Sequence, residues 1–121
     1  MYHKAPIITK TYRFYLLLYS YTKTFPKKDR FSLGQKCEGL TLEFLEALFI
    51  ANSKRDEEKL PFLYDLDVKL KVLQTFVRII NDVRAVEAKD YLHMSAALDE
   101  MGRMLGGWIK SLKPEKENPA S

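Results

Sequence analysis

The stretch YLHMSAALDEMGRMLGGWIKSL, residues 91–112, decides the fold class. Its apolar residues Tyr91, Met94, Leu98, Met101, Leu105, Trp108 and Leu112 follow at steps of 3-4-3-4-3-4. That beat keeps one apolar stripe on one face of a helix and favours shallow crossing angles with neighbouring helices. The same beat runs upstream through Leu63, Leu66, Leu70, Leu73, Val77 and Ile80, with Pro61 placed for a first helical turn. It runs again through Leu33, Cys37, Leu40, Phe44, Ala47 and Ala51.

Working outward, a first helix is expected from Ile7 to Thr24, stopped at Phe25-Pro26 because proline cannot continue a helix. Ser32-Leu33-Gly34-Gln35 reads as a capping box, which starts the second helix at Ser32 and carries it to Asn52. The five residues Pro26 to Arg30 then form a loop, and Ser53 to Lys59 form a polar turn. No strand-like alternation competes. Short connections make successive helices antiparallel neighbours, so the expectation is all-α: an antiparallel up-and-down four-helix bundle. One domain is expected over 1–113, followed by a disordered tail at 114–121.

A chain of 121 residues that is 46% apolar and 30% charged is long enough for a real core and is not of disordered composition. Several helices carry a second apolar stripe: Tyr12, Tyr15 and Tyr19; Leu42, Leu45 and Phe49; Phe76, Ile79 and Val83. Such stripes are either a widened core face or a subunit interface, and the expectation leans to a homo-oligomer. No apolar run approaches the ~20 residues a membrane span needs. Met1-Tyr2-His3-Lys4 does not open a signal peptide, and a single cysteine suits a reducing cytoplasm.

The residue inventory argues against catalysis. A di-metal centre in a bundle needs two Glu-x-x-His pairs with two further carboxylates, whereas His93 has only Asp90 three residues before it. His3 falls in what is read as a frayed start. Cys37 lies on a core stripe and reads as a small hydrophobe. No phosphate-binding glycine loop and no Ser/His/Asp set is present. No enzyme, metal or cofactor is expected. Gly102, Gly106 and Gly107 each cost a helix about 1 kcal/mol relative to alanine, and close approach of a neighbouring helix or of Trp108 is the reading given to them.

Charge is the feature that points to function. Residues 1–37 hold eight basic side chains against the single acid Asp29, a net of +7, while the remaining 84 residues carry −3. This asymmetry fits a solvated face or an anionic partner. The candidates for nucleic-acid or partner binding are Lys10, Arg13, Lys23, Lys27, Lys28, Arg30 and Lys36 in the first part, with Lys71 and Arg78 sharing a face of the third helix. Tyrosines interleave with the cations of the first helix, which suits phosphate contact with some stacking.

The segment from Leu98 to Lys110, with Gly102-Arg-Met-Leu-Gly-Gly-Trp-Ile109 at its centre, resembles the last helix of Avd, the accessory variability determinant of diversity-generating retroelements. Phe76-Val-Arg-Ile-Ile80 and the Phe25-Pro-Lys to Leu33-Gly-Gln35 turn resemble the same family, which matches most of the chain in outline. The resemblance implies a bundle assembled into a barrel-shaped homopentamer with a basic surface. It further implies association with a reverse transcriptase and with RNA or DNA, in support of mutagenic template copying. The family can carry two arginines one turn apart on the third helix; here Arg78 matches the second and Gln74 stands at the first, which weakens that basic surface. Gly102, Arg103, Gly106, Gly107 and Trp108 match the packing signature. Two other readings stand beside this one: a four-helix protein of the ribosomal-RNA intervening-sequence type, and a purely structural oligomer.

Overall fold

A computed structural model describes residues 6–113. The expected disordered tail at 114–121 and the frayed start with His3 lie outside them. Helix α1 spans Pro6–Thr22. Helix α2 covers residues 27–53 in three registers, an α-turn Lys27–Asp29, a π-segment Arg30–Gly34 and a long α-helix Gln35–Ser53. A 3-10 turn, Asp56–Glu58, precedes α3 (Lys59–Asp82), and α4 is Ala88–Leu112. Among the described residues there is no strand. Each helix packs on the one before it, and α1 packs on α4, so the four close into a ring with α1 diagonal to α3.

The stripe of α3 is buried at all six positions read from the sequence, Leu63 to Ile80. On α4 the buried residues are Met94, Leu98, Met101 and Leu105, with Tyr91, Trp108 and Leu112 half-buried at the two ends. On α2 the inward residues are Cys37, Thr41, Phe44, Leu48 and Ala51. Leu40 and Ala47 flank this core; Thr41 and Leu48 take the central places. Helix α1 contributes Ile7, Ile8, Phe14 and Leu18. Full burial of one such side chain stabilises the fold by about 1.5–3 kcal/mol.

The start of α2 corrects the sequence reading. The helix begins directly after Pro26, whose φ of −52° and ψ of 144° place it just outside the first turn. Lys27, Lys28 and Arg30 are therefore helical and not in a loop. Ser32 is no cap: it lies inside the helix, and its hydroxyl donates back to the Lys28 carbonyl at 2.8 Å. The amide of Gln35 donates to the Arg30 carbonyl five residues back, which makes the extra-wide π-turn. At Gly34 a Cβ would lie 3.3 Å from the side chains of both Phe25 and Thr22, so glycine is what lets α2 approach the end of α1.

The glycines of α4 behave differently from their expected role. A Cβ on Gly102 would make ordinary contact with Leu70 at 3.6 Å. Gly106 and Gly107 face open space within 4 Å, so no helix of the chain needs them small.

Two turns are held by specific bonds. After α3, the amide of Ala85 donates to Ile80 and that of Arg84 to Asn81, a Schellman ending with Arg84 left-handed at φ 62°. Before α3, the buried Lys59 ammonium caps the Lys54 carbonyl and pairs with Asp56 at 3.4 Å.

Candidate nucleic-acid interface

Turning the chain between α1 and α2 brings five of the nine candidate cations to one end of the bundle. Lys23 follows the last residue of α1; Lys27, Lys28 and Arg30 lie in the first turns of α2, and Lys36 one to two turns further on. All five are exposed, and none makes an ion pair among the described residues. Lys23 lies over the Tyr19 ring, 4.9 Å from its centroid, and Arg30 over Phe31 at 5.5 Å. Lys27, Lys28 and Arg30 crowd the helix N-terminus, where the helix dipole already disfavours positive charge. A bound anion would relieve both effects.

The other four candidates are placed elsewhere. Lys10 is half-buried and pairs with Glu100 of α4 at 2.8 Å. Arg13 is exposed on α1. Lys71 and Arg78 share the outer side of α3, the helix diagonal to α1. Lys71 is occupied by Asp67 at 2.6 Å, one turn before it. Arg78 is exposed and has no ion pair among the described residues.

Beside the cations runs a cleft of about 150 Å³ between the end of α1 and the π-turn. Its walls include Lys23 and Arg30, and also Gln35, read from the sequence only as a capping residue, and Phe31 and Glu38, which the sequence reading did not single out. Glu38 is held there by the Thr22 hydroxyl, which donates to its carboxylate across the two helices. Tyr15 stacks near Tyr19, ring centroids 6.1 Å apart at 30°, and continues the aromatic wall along α1. Partial burial and the Glu38 charge raise the Tyr15 phenol above its ordinary pKa.

Six of the nine second-stripe residues remain exposed in the single chain: Tyr12, Tyr19, Leu42, Phe49, Ile79 and Val83. Val68 and Val72 extend the α3 stripe, at 60% and 40% exposure. The stripes are thus more than a widened core face.

Elsewhere the polar groups are ordinary. His93 is exposed, with Nδ1 3.1 Å from the Tyr21 hydroxyl. Cys37 is fully buried, and burial pushes its thiol up to about 12. Among the described residues no group of three His, Cys, Asp or Glu gathers as a metal site. No described helix is long and apolar enough to cross a membrane.

These observations define a small all-α bundle with five of its nine candidate cations exposed at one end. Its family is given by comparison with family models: residues 7–112, nearly the whole described chain, match the bAvd-like family, and the protein belongs to it. No curated protein matches the chain.

Proposed function

We propose that this protein is a non-enzymatic accessory factor of a diversity-generating retroelement. It binds RNA or DNA and the element's reverse transcriptase in the cytoplasm, as a homopentameric barrel, and supports mutagenic copying of a template. Membership of the bAvd-like family carries this reading. Two features of the chain support it. The cations Lys23, Lys27, Lys28, Arg30 and Lys36 stand exposed at one end of the bundle, without ion pairs among the described residues, a composition that suits phosphate contact. The apolar stripes on α2 and α3 supply surface that a second copy of the chain would cover.

The mechanism this arrangement allows is electrostatic and weakly selective. Exposed cations at one end of the bundle neutralise phosphates and release counterions, while no described helix presents an obvious base-reading face. Log affinity for a single strand should then fall against log salt with a slope of about −0.7 per phosphate neutralised. Filter binding over a salt series, with a pull-down of the reverse transcriptase, tests the reading. Absence of binding to both at low salt would overturn it.

A further inference from the structure

The cleft between α1 and the π-turn has a chemistry that the charge of the surface alone does not explain. Two flat rings, Tyr19 and Phe31, stand at its walls, and Phe31 is 59% exposed. Hydrophobic burial does not account for a phenylalanine so placed. Above each ring sits a cation, Lys23 and Arg30, with no carboxylate paired to either among the described residues. Glu38 shares the cleft, yet no ion pair joins it to these cations; it is oriented by the Thr22 hydroxyl instead. The π-segment Arg30–Gly34 is the device that brings Arg30 and Phe31 to the rim while Gln35 and Glu38 line the wall. Segments of this kind are frequent at functional sites.

A ligand that satisfies all of these groups has a flat aromatic body, an anionic tail and hydrogen-bond donors on one edge. A nucleotide meets the first two requirements: bases stack on exposed aromatic rings, and a phosphate fits between a lysine and an arginine. The carboxylate decides the third. Among the bases, guanine alone offers two adjacent donors, N1–H and the N2 amino group, to the paired oxygens of a carboxylate. Adenine presents an acceptor beside its amino group, and uracil has a single donor flanked by carbonyls.

Resting on the nucleic-acid reading above, we propose that this cleft is a single-nucleotide pocket for an unpaired guanosine. The base stacks on the face of Phe31 that Arg30 leaves open, with Tyr19 walling the cleft, its donor edge meets Glu38, and its phosphate meets Lys23 and Arg30. The protein then grips an unpaired guanosine at a defined point of an otherwise unselective strand.

Titration of the protein with GMP, AMP, CMP and UMP, followed by amide chemical shifts, reads the pocket directly. GMP should perturb the amides around Lys23, Phe31 and Gln35 and bind roughly tenfold tighter than AMP. Glu38→Gln should remove that preference, and Phe31→Leu, at an exposed site that leaves the core intact, should weaken all four nucleotides. Equal affinity for the four, or shifts confined to other parts of the bundle, would overturn the pocket. A parallel titration with single-stranded oligonucleotides at low salt separates the two levels. Oligonucleotide binding without guanine preference removes the pocket and keeps the general reading. Preferential GMP binding without oligonucleotide binding keeps the pocket and removes the general reading. Binding of neither removes both.

Discussion

Lys10 of α1 reaches Glu100 of α4 at 2.8 Å and joins the first helix to the last, the seam that no connecting turn holds. The Lys10 hydrogen bond and charge, with Arg103 adding less, hold the Glu100 carboxyl below its ordinary value of 4.5. A carboxyl depressed in the folded state stabilises the fold above its unfolded pKa, and the effect is lost as pH falls through the lower folded value. Wild-type protein should therefore melt slightly above Glu100→Gln at pH 7, with the gap closing below about pH 4. Thermal melts of the two proteins across that range check it. The same pair predicts that Lys10 contributes less to nucleic-acid binding than Lys27 or Lys28, which have no ion pair among the described residues.

Cys37 is buried beside Thr41, whose hydroxyl donates to the Cys37 carbonyl at 2.9 Å. With its thiol pushed up to about 12, it holds almost no thiolate at neutral pH. Thiol reagents at pH 8 should leave the native protein unlabelled and label it completely in denaturant. Fast labelling of the native form would show that the core opens locally.

Backbone conformation predicts three separate effects. Arg84 occupies a left-handed position, which costs an L-residue roughly 1–2 kcal/mol, so Arg84→Gly should stabilise by about 1 kcal/mol. Gly106→Ala and Gly107→Ala meet open space in mid-helix and should each add roughly 0.5–1 kcal/mol. Gly34→Ala presses a methyl against buried Phe25 and Thr22, which offsets the helix-propensity gain of about 1 kcal/mol, so it should stabilise less than the alanines in α4. Chemical denaturation reads all of them. If the two alanines in α4 stabilise the chain yet break its assembly, that face is a contact between copies.

Val72 lies mid-helix on the outward stripe of α3. Val72→Glu should leave helicity unchanged and alter the monomer's own stability by no more than about 0.5 kcal/mol, so any larger fall in melting point reports lost assembly. Light scattering coupled to size exclusion should show a multiple of 14.1 kDa for the wild type and a smaller mass for the variant. A wild-type monomer at micromolar concentration contradicts the assembly.

Arg78 makes no internal ion pair among the described residues, so its removal has no salt bridge to break. Arg78→Ala should keep its melting temperature and lower recovery of the reverse transcriptase in a pull-down. Equal recovery would exclude Arg78 from the contact and leave the α1–α2 end as the binding surface.

Much of this protein was legible from the order of its residues. Apolar spacing identified four helices, and on α3 it named every buried apolar position, because a 3.6-residue repeat fixes which side chains share a face before any neighbour is known. Composition located the excess charge near the start of the chain. On α2 the same spacing named Cys37, Phe44 and Ala51 but preferred Leu40 and Ala47 to Thr41 and Leu48. A wide apolar face leaves its centre undetermined until neighbouring helices choose it. Ser32 carried a local capping signal that tertiary packing overrode: with Gly34 seated against Phe25 and Thr22, the helix extends back to Pro26 and the hydroxyl turns to a carbonyl. The π-turn that results brings Phe31, Gln35 and Glu38 beside Lys23 and Arg30. A pattern reader that assumes 3.6 residues per turn cannot foresee that meeting. Sequence determined the helices and the sign of the surface, since both are properties of residues taken in order. Which cations are spent on Glu100 and Asp67, and which stand free around a cleft, was decided by the packed structure, since a charge is neutralised by proximity in space.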